Sequence, residues 1–247
     1  MNTQEEEQVW IEDEDPDANS DKEDEETDFG RNLFSAPTQP QNEFEKVHGD
    51  VTLRLKGITG VRYPHLLNST GLTLWKGSES LAEFLSSHAD LVQDKTVVEL
   101  GAGTGICGIL AHKLGANHVM ITDGDSDTLR NIRANIDLNV EQDEDNPRLE
   151  CKQLLWGTHV KSFRQKWSRD EGFEIVMGGD IVYAQPSLEP LFETVVSLLS
   201  PVPGAKFILS YVYRSGVTIE DVFDCAKKHG LQWVDSEDSE CVYTFFR

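Results

Sequence analysis

Two carboxylates and a cluster of glycines carry the first chemistry that can be read from this chain. In Val97-Val98-Glu99-Leu100-Gly101-Ala102-Gly103-Thr104-Gly105 an apolar run stops at an acid and then turns through three glycines. The run reads as a buried strand feeding a loop and a helix, and open α/β sheets bind ligands at that carboxyl edge. Glycine is needed where backbone must approach a ligand closely, whereas a plain turn needs only one. One helix downstream, Asn117-His118-Val119-Met120-Ile121-Thr122-Asp123 is a second short apolar run ending in an acid. A carboxylate there can accept both hydroxyls of an adenosine ribose. The competing use of Asp123 is as a helix cap, since Asp125, Ser126 and Asp127 follow at the start of a helix.

Spacing narrows the nucleotide. A dinucleotide loop places glycines at its first, third and sixth positions, which here are Gly101, Gly103 and Ile106; the third glycine comes early, at Gly105. No Lys-Ser/Thr pair follows, so a phosphate-cradling P-loop is not supported. Glu99, the Gly-x-Gly-x-Gly loop and Asp123 together resemble motif I and the following strand of the seven-strand S-adenosylmethionine-dependent methyltransferases. Three further stretches agree with one branch: Gly71-Leu72-Thr73-Leu74-Trp75, Leu154-Leu155-Trp156-Gly157, and Gly178-Gly179-Asp180-Ile181-Val182-Tyr183. These resemble the methyltransferase-like protein-lysine methyltransferases, with Asp180-Ile181-Val182-Tyr183 fitting that group's Asp/Glu-x-x-Tyr/Phe signature. The resemblance covers about residues 48–247.

It implies S-adenosyl-L-methionine as cofactor, held by Trp75, Glu99, Gly101, Gly103, Gly105, Asp123, Trp156 and Gly179, with Asp180 and Tyr183 at the reacting centre. The residue types suit those tasks. An indole at Trp75 or Trp156 can line a flat adenine or pack in the core. Gly179 leaves room for backbone against the cofactor, or simply ends a strand. Methyl transfer from a sulfonium is an in-line displacement, so the enzyme must align the partners. A lysine ammonium, of pKa about 10.4, has no lone pair. Asp180 can orient the amine, and a narrow apolar channel with Tyr183 as one wall favours its neutral form. The other uses of these residues are a helix cap for Asp180 and ordinary packing for Tyr183. No step needs a metal, a nucleophilic cysteine or a catalytic triad.

The elements that must position these residues alternate. Val51–Leu55 reads as a strand, and Ser78 as the N-cap of a helix holding Leu81, Phe84 and Leu85. From residue 95 onward, strands 96–100, 118–122, 149–154, 173–178 and 206–211 alternate with helices 106–114, 126–138, 188–199 and 219–229. The basic, polar stretch up to Arg169 reads as loop. Two last strands, 231–234 and 241–246, have no helix between them and suggest an antiparallel hairpin at the sheet edge. The expectation is an α/β, Rossmann-like seven-stranded methyltransferase sheet with helices on both faces.

The net charge of −22 is uneven: residues 1–30 carry fourteen acids against Lys22 alone. Such a segment cannot offset its ordering entropy by apolar burial, so a disordered acidic tail and linker are expected over 1–46 and the catalytic domain over 47–247. The resemblance implies a protein substrate of the chaperone or translation-factor kind; the acidic chain suits a basic partner and ill suits direct nucleic-acid contact. No apolar run is long enough to span a bilayer. Cys107, Cys151, Cys225 and Cys241 are scattered, without Cys-x-x-Cys or evident metal spacing; they read as reduced thiols of a cytoplasmic, or also nuclear, monomer. The alternatives to lysine methylation are a protein arginine, a small molecule, or a catalytically silent scaffold.

Overall fold

The computed structural model describes residues 41–58, 70–141, 148–168, 171–213, 216–236 and 238–247, all within the compact unit Gln39–Arg247. The acidic tail lies outside the described residues. The chain opens with an antiparallel hairpin, β1 (Asn42–His48) on β2 (Val51–Gly57). β1 therefore occupies sequence read as linker, because only Phe44 among its first residues offers apolar surface to a core, a weak signal. After α1 (Lys76–Ser87) come β3 (Thr96–Glu99), α2 (Ile106–Lys113), β4 (His118–Asp123), α3 (Ser126–Asn139) and β5 (Leu149–Gln153). Then follow α4 (Val160–Ser168), β6 (Ile175–Gly179), α5 (Leu188–Leu198), β7 (Lys206–Ser210), α6 (Ile219–Lys228), β8 (Gln232–Ser236) and β9 (Ser239–Phe246).

The seven-stranded sheet has the order β5-β4-β3-β6-β7-β9-β8. Its first five strands are parallel, and β9 runs antiparallel between β7 and β8. The expected terminal hairpin is therefore present, with the later strand inside and β8 at the edge. Both faces of the sheet are covered, which is why its central strands read as unbroken apolar runs. Val97, Ile175 and Met177 face a core built with Leu81, Leu85, Ile106, Ile109 and Ile132. Val98 and Val176 face the opposite core, with Phe163, Leu191, Phe192, Phe207 and Phe245.

Two local readings change. α4 falls in the stretch read as loop; it buries only Val160 and Phe163, so its apolar stripe is too thin to show a helical period. α1 starts two residues before Ser78, with Trp75 at the N-cap.

A stripe of asparagines on α3, at four-residue spacing, ties the hairpin to the sheet. Asn139 accepts from the Arg54 amide at 2.9 Å and donates to its carbonyl. Asn135 accepts from the Lys56 amide at 2.6 Å and donates to the carbonyls of Lys56 (3.1 Å) and Thr104 (2.9 Å), while Asn131 also donates to Lys56. A primary amide offers both a donor and an acceptor, so these side chains pair with alternate residues of β2 as a neighbouring strand would. Asn135 is fully buried and reaches the glycine loop as well. Asn135→Ala should lower the unfolding free energy by about 1–3 kcal/mol, because it strands buried backbone groups. Urea denaturation measures this, and a change within error would show that the stripe is incidental.

Candidate functional site

The strand order reverses between β3 and β6, from which the chain proceeds in opposite directions across the sheet. The carboxyl ends of these two strands flank the crevice where such sheets bind ligands. β3 ends at Glu99, and the loop beyond it has φ of +57° at Gly101, +57° at Gly103 and +78° at Gly105. Those left-handed conformations are the physical reason for three glycines. Gly105 is the N-cap of α2 and has no side chain to offer the helix. Glu99 supplies the missing acceptor: its buried carboxylate takes the Gly108 amide at 2.7 Å. Burial pushes the Glu99 carboxyl up to about 8, against the opposing pull of the Gly108 amide and the Cys107 thiol, with the charge of Asp123 adding to the rise. A Cβ on Gly108 would stand 2.5 Å from Ile121 and 2.7 Å from the Glu99 carboxylate, so this helical glycine sets how closely α2 approaches the sheet.

Asp123, at the end of β4, clasps the same loop. It accepts from the Gly103 amide and from the Asp125 amide, each at 3.0 Å. Burial raises its pKa, opposed by those two amides. The helix-cap role belongs instead to Asp125, which takes the Thr128 amide at 3.0 Å and hydroxyl at 2.7 Å. Trp156 lies against the first glycine: a Cβ on Gly101 would be 3.1 Å from the indole and 3.0 Å from Ile181. Trp75 donates its indole N–H to the Thr70 carbonyl at 2.9 Å. Its segment also crosses the loop, since a Cβ on Gly103 would be 3.1 Å from the Gly71 carbonyl. The Thr104 hydroxyl, within the loop, and the Thr73 hydroxyl are buried and have no partner among the described residues.

Across the crevice, Asp180 follows β6 with φ +61°, a left-handed conformation uncommon outside glycine. Its amide donates to the Ser210 carbonyl at 2.9 Å, and its carboxylate accepts from the Gly77 amide in the first turn of α1 at 3.0 Å. Trp75, the N-cap of α1, makes no side-chain cap bond, so Asp180 caps α1 from outside, as Glu99 caps α2. The space left by Gly179 is taken by that helix: a Cβ there would meet Ser78 Cα at 2.7 Å. Ser78, inside the helix, donates its hydroxyl to the Gly179 carbonyl at 3.1 Å. Tyr183 is 59 % exposed, whereas Asp180 is 8 % exposed.

The structure thus brings together Glu99, the three glycines, Asp123 and Trp156 on one side, and joins Gly179 and Asp180 to α1 on the other. Ile181 links the halves, packing toward both Gly101 and Gly178. Gly77 and Gly108 escape the sequence reading, which takes Ser78 only as a helix cap and Ile181 only as part of the Asp180-x-x-Tyr183 stretch. The glycine at the second position of a helix, in Trp75-Lys76-Gly77, was the one available signal.

This is the ligand edge of a seven-strand methyltransferase sheet, and likeness to known proteins agrees. A Streptococcus mutans protein described as a SAM-dependent methyltransferase aligns over 84 % of this chain and 55 % of its own, with TM-score 0.57 at 12 % identity. The Thermus thermophilus 16S rRNA N2 G1207 methyltransferase, solved with AdoMet and guanosine, aligns over 83 % of this chain and 50 % of its own, with TM-score 0.52 at 16 % identity. Residues 64–226 match the lysine methyltransferase family model, and the chain belongs to that family. Protein-lysine N-methyltransferase EFM3 of Chaetomium thermophilum is 31 % identical over 165 residues, 66 % of this chain and 48 % of the relative. The chain thus spans about half the length of that relative. The Neurospora crassa protein N-terminal and lysine N-methyltransferase efm7 is 27 % identical over 80 % of this chain and 71 % of its own. Protein N-lysine methyltransferase METTL21A of Danio rerio is 34 % identical over 51 % of this chain and 55 % of its own.

Glu99 gives the site a pH signature. The folded chain holds the Glu99 proton up to about pH 8, whereas an ordinary glutamate releases it near 4.5. Between those values the unfolded chain binds fewer protons, so this group's contribution to stability falls as pH rises. Glu99→Gln has no such proton to lose. Its unfolding free energy relative to the parent chain should climb from pH 5 to pH 8 and then level off, as read by urea denaturation. A difference independent of pH would mean that Glu99 does not titrate in this range.

Proposed function

We propose that this chain transfers a methyl group from S-adenosyl-L-methionine to a side-chain amine of another protein, with lysine as the acceptor. The observation that carries this reading is the placement of the glycine loop and Asp180 on the two strands flanking the switch point. The donor set fits the cofactor. The left-handed loop leaves backbone bare of side chains, the Thr104 hydroxyl is buried without a partner among the described residues, Asp123 ends the strand beside the loop, and an indole borders Gly101. When bound, S-adenosyl-L-methionine supplies a sulfonium methyl group as the electrophile.

The residues of the chain do the rest. Gly101, Gly103 and Gly105 would give the cofactor backbone to lie against, Asp123 would take its ribose hydroxyls, and Trp156 and Trp75 would border its base. Glu99 acts through the loop, by fixing the start of α2. Gly179 contributes by letting α1 close on β6. Tyr183, at the exposed end, lines the path of an incoming side chain, and Asp180 orients its amine. A carboxylate presents about four acceptor positions, so the bond to Gly77 and the orientation of an amine are compatible. The acceptor must shed its proton to solvent before transfer, and desolvation in the path favours that neutral form. The left-handed backbone at Asp180 supports the assignment, since strain of this kind is kept where the surroundings over-determine it.

The partner we infer is a basic protein of the chaperone or translation-factor kind, in keeping with the net charge of −22. A second reading, the α-amine of a protein N-terminus, draws on the Neurospora relative, whose name includes both acceptors. That amine has a pKa of about 7.7–8.0 and is easier to neutralise than lysine.

Asp180→Asn separates the two duties of this residue, because an amide still offers Gly77 an acceptor but carries no charge. With methyl-labelled S-adenosylmethionine and a nuclease-treated protein extract, the parent chain should label a discrete protein band. The variant should bind cofactor with little change by calorimetry and lose transfer by about 100-fold or more. Normal transfer by Asp180→Asn would remove Asp180 from the reacting centre. Mass spectrometry of the labelled band distinguishes lysine from an N-terminal amine and from arginine.

A further inference from the structure

Away from the crevice, Glu189, Cys225 and His229 bring three metal-ligating side chains to one point between α5 and α6. Their ligand atoms all lie within 4.8 Å of one another. His229 Nε2 is 3.1 Å from Glu189 Oε1, and Cys225 Sγ is 3.9 Å from Glu189 Oε2. Cys225 and His229 are four residues apart at the end of α6, so they share one face of the helix. The third ligand comes from the first turn of α5, 36 residues before Cys225. That separation is why no metal spacing shows in the sequence.

The distances match a particular chemistry. A tetrahedral zinc ion, with bonds of about 2.0–2.3 Å, holds its ligand atoms about 3.3–3.7 Å apart. The two Glu189 separations, 3.1 and 3.9 Å, bracket that range and the third pair lies within 4.8 Å, so an ion would draw the side chains together by about an ångström at most. The site is braced: His229 stacks on Phe192, with ring centroids 6.3 Å apart. A cavity of about 650 Å³, lined by His229, Glu193, Arg164 and Lys161 among others, opens beside it. It offers room for water as a fourth ligand. A thiol, an imidazole and one carboxylate suit zinc or cobalt rather than magnesium or calcium, which prefer all-oxygen sites.

One group competes. Lys228 Nζ donates to both oxygens of Glu189, at 2.8 and 2.9 Å. We propose that Glu189, Cys225 and His229 form a site for a thiophilic divalent cation of the zinc class, and that Lys228 holds the carboxylate until the ion displaces its ammonium. On binding, the Cys225 S–H bond breaks, the sulfur bonds to the ion and the proton passes to solvent. The ion then clips the start of α5 to the end of α6. None of the three ligands belongs to the site assigned to methyl transfer, so this inference stands apart from that reading.

Cobalt(II) titrated into the full-length chain, under a phosphine reductant, tests it. The expected result is the absorption of a four-coordinate cobalt ion together with a thiolate-to-cobalt charge-transfer band, both bleached by zinc. The carboxylates of residues 1–30 bind through oxygen alone and give no such band. Cys225→Ser should abolish the charge-transfer band, and Glu189→Gln should weaken cobalt binding at least tenfold. Cys241→Ser should leave both unchanged. Lys228→Ala should tighten binding several-fold, which loss of a merely structural ion pair would not do. No charge-transfer band in the folded parent chain, or a band that survives Cys225→Ser, overturns the proposal; unchanged or weaker binding by Lys228→Ala overturns the displacement.

Discussion

Two helices of this protein begin at residues that cannot cap them, and two carboxylates at the ends of neighbouring strands supply what is missing. The first turn of any helix leaves backbone amides without partners. α2 starts at Gly105, which has no side chain, and Glu99 reaches its Gly108 amide. α1 starts at Trp75, whose indole is turned to Thr70, and Asp180 reaches its Gly77 amide. Each acid therefore fixes a helix to the strand that carries it, and the crevice lies between the two fixed pairs. Losing either contact would free a wall of the site as well as a helix end.

Those contacts demand close packing, which explains glycines that no ligand requires. Gly108 admits Glu99 and Ile121 to the axis of α2, Gly77 admits Asp180, and Gly179 admits Ser78. The glycines of the loop are different in kind, because there the backbone is left-handed. One residue type thus answers two constraints, contact distance in the helices and conformation in the loop. The asparagine stripe of α3 extends the same logic: Asn135 binds β2 and the loop together, so the hairpin outside the main sheet is tied to the site.

Much of this was legible in the chain. The alternation of apolar runs and amphipathic helices gave the parallel sheet, since strands buried on both faces must be apolar throughout. The glycine loop, Asp123 and the Asp180-x-x-Tyr183 stretch marked the ends of the three strands that carry the site, because local spacing alone places them there. What spacing could not give was direction. Glu99 and Gly179 read as ligand contacts, yet each faces a helix whose partner residue lies 9 and 101 positions away, respectively. Ser78 read as a cap because serine favours that place, but the helix begins earlier once Asp180 supplies an acceptor.

The sequence by itself determined the order of the sheet's strands and of the helices other than α4, the positions of the loop and the acids, and the uneven charge, all of which follow from periodicity and residue type within short windows. Only the tertiary structure decided what each acid holds, that α4 is a helix, that β9 lies inside β8, and that Glu189, Cys225 and His229 meet. The physical reason is common to these cases. Caps supplied from another element, thinly amphipathic helices and ligand clusters depend on contacts between distant segments, and such contacts leave no repeat along the chain.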